Sequence, residues 1–439
     1  MSHSPAESRH DPFAALRQRN FALAIGGRGA SATANMVLSA AIFWQVYDIS
    51  GSAFQLGMVG VARLIPSLGL GLLAGVVADS FDKRLISILS QLLMLACGAV
   101  LFEVTVSGDP GLSWLYGAAF LVALAGVFDS PARQAMLPQI VTRDAFANAI
   151  TVQSTIQSLG FVTGPALAGF LIAARGPELA YAVFSGLLVV SIFTFFPMRL
   201  LPIDAPKRAV SLAAIREGID YVRHRQVVLG AMTLDMFAVI FGGAAALLPV
   251  YAKDILDVGA LGYGLLATSL DIGALGTSIV LVFFPPFRRP GVALLAAVAA
   301  FGLFTIVFGL SRSFPLSFAA YALIGVADQI SVVMRQTMVQ LATPDELRGR
   351  VTSVNFLFIG ASNQLGAVES GMVAAVTNAT FAVVSGGIGC LVVLGIVAAK
   401  LPELRTYRAD LPNPGPSPAP GTPTPAVAAL VGEAKASRE

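Results

Sequence analysis

Apolar residues run in long blocks along most of this chain, broken by short polar stretches rich in glycine and proline. A run of about 20 mostly apolar residues is what a helix needs to cross a bilayer. Twelve such blocks fall near 21–47, 54–78, 85–106, 113–136, 148–173 and 180–198, then near 227–251, 262–284, 292–310, 315–333, 351–373 and 380–399. The pattern predicts an all-α, polytopic membrane protein of twelve transmembrane helices. The longest polar interruption, 199–226, separates six blocks from six. The expected organisation is an N-terminal segment 1–20, a six-helix bundle 21–198, a linker 199–226, a second six-helix bundle 227–400 and a tail 401–439. Within the linker, Leu212, Ile215, Ile219 and Val222 recur at helical spacing with basic residues on the other faces. That is the pattern of a helix lying at a membrane surface, and equally of a helical linker that touches no lipid. The tail alternates proline with small residues from Leu411 to Pro425, a composition that favours extended, disordered chain.

The two halves repeat each other. Gly126-Val127-Phe128-Asp129 in the fourth block returns as Gly325-Val326-Ala327-Asp328 in the tenth, and Gln139 with Thr142-Arg143-Asp144 returns as Gln340 with Thr343-Pro344-Asp345. Six-span units repeated in one orientation are related by an axis along the membrane normal, and such a pair can rock about a site held between them.

Composition and charge then set limits. With 56% hydrophobic and 12% charged residues, little is left for a soluble output domain. Lys and Arg gather on the cytoplasmic side of short loops. With Arg28 and Arg63 inside spans, an inside N-terminus leaves only Arg175, Lys253 and Arg312 in outer loops. Both termini are therefore expected in the cytoplasm, and the net charge of +3 reflects topology rather than nucleic-acid binding. Cys97 and Cys390 fall in apolar blocks and read as small buried hydrophobes. His3, His10 and His224 do not cluster as metal ligands. No G-x-x-x-x-G-K-S/T phosphate loop occurs, so nucleotide-driven transport is not expected, nor is any cofactor or enzymatic activity.

Two local motifs carry a family resemblance. Between the second and third blocks the chain reads Gly75-Val76-Val77-Ala78-Asp79-Ser80-Phe81-Asp82-Lys83-Arg84. This resembles the signature loop of the major facilitator superfamily, G-x-x-x-D-R-x-G-R-R, with matches at Gly75, Asp79, Lys83 and Arg84 and departures at Ser80 and Asp82. Asp79 would latch one conformation by accepting charge-assisted bonds across the bundle. The fifth block contains Gly160, Gly164, Pro165 and Gly169, which look like the antiporter motif G-x8-G-x3-G-P-x2-G-G, with Thr151 and Ala168 where glycines are expected. Proline bends the helix while glycine admits a close neighbour. Asp129-Ser130-Pro131-Ala132-Arg133-Gln134-Ala135 with Leu137-Pro138, and Leu347-Arg348-Gly349-Arg350-Val351 after Thr343-Pro344, are similar to the branch containing enterobactin exporters and macrolide-efflux permeases.

An ionisable residue inside a span is costly and points to function by default. Arg28, Asp129, Asp235 and Asp328 fall in the first, fourth, seventh and tenth blocks. The resemblance implies that these four helices line a central cavity. Asp235 is the leading candidate for proton coupling, facing Arg28, with Asp129 next. Arg28 could instead neutralise Asp129, and Asp328 could pair with Arg335. Arg63 and Asp271 lie roughly 13 Å from the outer edge at about 1.5 Å per residue, a depth that suits either the cavity or the domain interface.

The expected function is secondary active export, proton-coupled and by alternating access, of an amphipathic small molecule such as a siderophore or drug-like compound. An importer or facilitator of the same fold is the alternative, against which the fifth-block motif argues. A non-transporting receptor or scaffold would need an output domain. The implied partners are a small-molecule substrate, protons and the lipid bilayer of a bacterial plasma or inner membrane, with the monomer as working unit.

Overall fold

The structure is a computed structural model describing residues 15–108, 110–198, 212–285 and 287–407. The N-terminal segment to residue 14, the first part of the linker (199–211) and the proline-rich tail from 408 lie outside the described residues. The first half comprises α1 (Arg19–Ser50), α2 (Ala53–Ser80), α3 (Lys83–Val106), α4 (Leu112–Ile140), α5 (Phe146–Arg175) and α6 (Pro177–Phe195). A short helix α7 (Leu212–His224) precedes α8 (Gln226–Phe241) and α9 (Ala244–Val250). The second half continues with α10 (Gly259–Phe283), α11 (Pro290–Leu310), α12 (Phe314–Ala342), α13 (Asp345–Val376) and α14 (Ala379–Lys400), and α15 (Pro402–Thr406) closes it. Turns are tight where sequence demands it. Gly51 caps α1 in the left-handed region at φ 59°, its N–H bonding to the Tyr47 carbonyl, and Gly176 at φ 92° hands α5 to the proline that opens α6.

Ten helical segments among the described residues are long and apolar enough to cross a membrane by length and composition. The first and eleventh of the twelve expected spans, α1 and α13, are as long but more polar. Arg19, Arg28 and Asp48 interrupt α1, and Asp345, Glu346, Arg348, Arg350 and Glu369 interrupt α13. The seventh span, expected as one helix, breaks at Gly242-Gly243 into α8 and α9 and ends in a π-helical turn, Tyr251–Ile255. The break has a packing reason. A Cβ on Gly242 would come within 2.5 Å of the Phe301 ring, and one on Gly243 within 2.8 Å of the Gly366 carbonyl carbon. Only bare backbone lets the strand of chain pass so close to α11 and α13.

The halves are built alike. In the first, α1 packs on α5 and α6, α2 on α4, and α3 on α4 and α6; in the second, α8 packs on α13 and α14, α10 on α12, and α11 on α12 and α14. Helix for helix, this is the same arrangement. The halves meet mainly through two pairs, α2 with α13 and α5 with α10, which are equivalent positions of the repeat.

Consecutive long helices alternate in direction. The face where α1 begins is termed basal and the opposite face distal. The cross-half contacts described here are distal. A Cβ on Gly371 would lie 2.5 Å from Gly57 Cα, and one on Gly169 2.7 Å from Gly264 Cα. Small residues allow these backbones to touch where no water-driven burial would pull helices together. Lys253 Nζ meets Asp48 at 2.5 Å, Tyr47 Oη donates to Asp254, and Tyr263 Oη donates to the Ala40 carbonyl at 3.2 Å. On the basal face, α7 packs on α13. Glu217 pairs there with Arg350, and Tyr221 Oη donates to the Ala342 carbonyl.

Candidate functional site

A layer of charge crosses each half in its basal part. In the second half, Arg335 on α12 donates from Nη2 to Asp235 on α8 at 3.0 Å and from Nη1 to Asn355 on α13 at 2.9 Å. Both charged side chains are nearly sealed, at 3% and 8% exposure. Three equivalent helices of the first half carry the counterpart. Arg133 on α4 donates from Nε to Asp129 at 2.7 Å, one turn earlier on its own helix, and stacks 5.1 Å over Phe195. Arg28 on α1 donates to Gln157 Oε1 on α5 at 2.5 Å.

These pairings differ from expectation in three places. Asp235 faces Arg335 and not Arg28, because α8 turns that residue toward α12 within its own half. Asp129 is held by Arg133, leaving Arg28 on an uncharged glutamine. Asp328 does not pair with Arg335, whose guanidinium is already occupied by Asp235 and Asn355. From the sequence Arg133 is named only within a motif and Arg335 only as an alternative partner for Asp328, although a stronger signal for both is present. Arg133-Gln134-Ala135-Met136 and Arg335-Gln336-Thr337-Met338 are a second copy of the internal repeat.

Between the halves lies an open cleft of about 1250 Å³, a volume that includes space open to solvent. It brings together Arg63 from α2, Asp271 from α10 and Asp328 from α12, three candidates drawn from helices far apart in the chain. Arg63 donates to Ser39 Oγ at 2.9 Å and lies 5.2 Å over the Phe43 ring. Asp271 and Asp328 make no hydrogen bond or ion pair with any described residue. Asp328 lies within electrostatic reach of Asp235, Arg335 and Asp271. The Gly242-Gly243 break, Phe301 and Tyr321 supply much of the remaining wall. A second cavity of about 660 Å³, lined by Arg28, Asn35, Asp129, Arg133 and Gln157, adjoins the cleft at Met36.

The two motifs occupy structural positions. On α5, a Cβ at Gly160 would sit 2.8 Å from Ala32 and one at Gly164 3.1 Å from the Thr33 carbonyl, so both glycines admit α1. Gly169 turns to α10, and the Val162 carbonyl accepts from Thr268 Oγ1 across the halves at 3.2 Å. Pro165 lines the cleft. In the signature loop, Gly75 and Asp79 lie on the last turns of α2, with side chains outside the described residues. Lys83 opens α3. Asp82, a departure from the motif, caps that helix by accepting from the Arg84 N–H at 2.8 Å. Arg84 reaches the Phe196 carbonyl at 2.9 Å, tying the loop to the end of α6 within the same half.

Two repeated six-helix halves around a polar cleft, joined at one end, define a polytopic membrane transporter. The chain belongs to the transmembrane secretion effector family of the major facilitator superfamily, whose family model matches residues 10–427. It is 30% identical over 395 residues to the multidrug efflux pump Tap of Mycolicibacterium fortuitum, covering 84% of this chain and 93% of that one. It is 23% identical over 384 residues to the enterobactin exporter EntS of Escherichia coli O1:K1 / APEC, covering 86% and 90%. Among solved structures, the fold matches the nucleoside transporter NupG with a TM-score of 0.71 at 11% identity, over 90% of this chain and 100% of that one. It also matches a bacterial homologue of the lysosomal transporter Spinster in an inward-facing, unoccupied conformation, with a TM-score of 0.65 at 14% identity, over 89% and 96%. The family is one of transporters, not enzymes.

Proposed function

We propose that this protein is a proton-coupled exporter of amphipathic small molecules, working as a monomer in the plasma or inner membrane with its basal face in the cytoplasm. The observation that carries the reading is the pair of unpartnered carboxylates, Asp271 and Asp328, facing a cleft between two halves that are joined distally. A carboxylate with no fixed partner can exchange a proton with whichever side the cleft opens to. Rocking of the halves about the α2–α13 and α5–α10 contacts would alternate that access. The basic loops support the orientation, because Lys83, Arg84, Arg288, Arg289, Arg348 and Arg350 all lie on the basal side. Export of drug-like or siderophore-like cargo is favoured over import by the functions of the curated relatives, Tap and EntS.

Asp235 becomes a weaker candidate for the proton carrier. Its carboxylate is bound to Arg335, and a group engaged in a fixed ion pair must first give up that partner. Asp328, unpaired and in the cleft, takes its place, with Asp271 beside it. In everted vesicles with an imposed pH gradient, accumulation of a fluorescent amphipathic dye should require the protein. It should collapse on adding a protonophore and be lost in Asp328→Asn, a variant that still inserts. Gradient-driven dye movement at the parental rate in both Asp328→Asn and Asp271→Asn would refute the coupling assignment.

A further inference from the structure

The two charged layers are built on equivalent helices but are not electrically equivalent. In the second half the α8 position is an aspartate, so Arg335 meets Asp235 and the pair is neutral. In the first half the α1 position is Arg28, so the layer carries two arginines against one aspartate. Asp129 spends its Oδ2 on Arg133. No carboxylate among the described residues lies within ion-pairing distance of Arg28, and Asp129 acts on it only at longer range. Arg28 keeps one bond, to the neutral Gln157, and its Nε is buried without a partner. An uncompensated cation within a membrane protein is expensive. Here it stands on the wall of a cavity of about 660 Å³, beside a second guanidinium and in contact with the main cleft.

We propose that Arg28 and Arg133 form a subsite for an anionic group of the transported molecule, a carboxylate or a comparable planar oxyanion. The proposal rests on the reading of the cleft as a substrate pathway and adds the charge class of the cargo. Arginine suits the task because its planar fork of donors matches two-oxygen acceptors and carries its charge at any physiological pH. The geometry gives each residue a share. Arg28 offers the terminal guanidinium N–H groups that Gln157 does not engage. Arg133, bonded to Asp129 and Ser191 and stacked on Phe195, is fixed in position and keeps further N–H groups for a ligand. Asn35 and Ser130 on the same wall can hydrogen-bond further oxygens, while Met36, Met94 and Phe161 supply an apolar surface for the rest of the molecule. The ligand anion would complete in the first half the neutral layer that Asp235 completes in the second.

The test uses the full chain in nanodiscs of zwitterionic lipid and a matched probe series, naphthoate, naphthylmethanol and naphthylmethylammonium, titrated calorimetrically against empty nanodiscs. Naphthoate should bind about tenfold or more tightly than the alcohol, the return for a charge-assisted hydrogen bond in a partly desolvated site. Arg28→Gln should reduce naphthoate to the level of the alcohol. Gln157→Glu, which keeps Arg28 and gives it an internal counter-ion, should do the same, and decides the matter if Arg28→Gln does not fold. Asp328→Asn should keep the carboxylate preference whether or not it loses gradient-driven transport, so a failed coupling assignment is distinguishable from a failed subsite. Equal binding of the three probes by the parent protein, tighter binding of the ammonium probe, or an unchanged carboxylate preference in Gln157→Glu would overturn the proposal.

Discussion

Replacing Asp235 by Asn is expected to destabilise the second half severely, and the size of the effect follows from its surroundings. Arg335 is 3% exposed and reaches two acceptors, Asp235 at 3.0 Å and Asn355 at 2.9 Å, while its Nε has none. Removing the carboxylate charge leaves a sealed guanidinium among neutral acceptors. Breaking one side of a buried ion pair costs about 3–5 kcal/mol. The new amide oxygen can still accept one bond, and Asp328 lies within electrostatic reach, so the loss belongs at the lower end, about 3 kcal/mol. Adding Arg335→Gln removes the stranded charge and should restore most of that, giving a coupling energy of about 2 kcal/mol or more in the double-mutant cycle. The assay is equilibrium unfolding in mixed micelles, followed by helical circular dichroism, on the parent, both single variants and the double variant. Strict additivity of the singles, or an Asp235→Asn protein within about 0.5 kcal/mol of the parent, would refute the view that this pair is a structural clamp between α8 and α12.

Three further outcomes are expected. Gly169→Leu should hold the distal face apart, since even a Cβ there would lie 2.7 Å from both Gly264 Cα and the Ala260 carbonyl; spin labels at Ser52 and Thr377 should report longer separations, and parental distances would count against the closure. Asp254→Asn loses the charge that Tyr47 Oη donates to and should shift the population toward forms open at the distal face. The same labels read that shift, which should be worth no more than about 1 kcal/mol for a part-exposed contact. Asp82→Ala should cost about 1 kcal/mol through loss of the α3 cap, measured by thermal unfolding; an equal loss in Asp82→Asn would contradict a capping role, because asparagine caps as well as aspartate.

The places where sequence reading stopped short share a cause. Span limits were legible because hydrophobic length is a local property, and the helices observed lie within a few residues of the expected blocks in most cases. The break in the seventh span was missed because Gly242-Gly243 sits in an otherwise apolar run, and hydropathy does not register the closeness of Phe301 or Gly366. Charge partners were missed because they depend on the rotation of each helix about its axis. Asp235 sits at the depth expected for facing Arg28, yet a fraction of a turn directs it to Arg335. The role of Asp82 was hidden in the same way, since a residue that departs from a motif can still have a capping position to fill.

By itself the sequence determined the membrane class, the count of long helices, the repeat of six on six and the residues that carry charge into the spans. These follow from composition and periodicity, which act along the chain wherever its neighbours lie. Tertiary packing alone decided which charges are spent on one another. It neutralises Asp235 with Arg335 and Asp129 with Arg133, and among the described residues it leaves Arg28, Asp271 and Asp328 without a counter-ion in ion-pairing contact on cavity walls. A direct ion pair needs its two groups within about 4 Å of each other. Its existence is therefore set by helix rotation and crossing, which no run of residues read in one dimension contains.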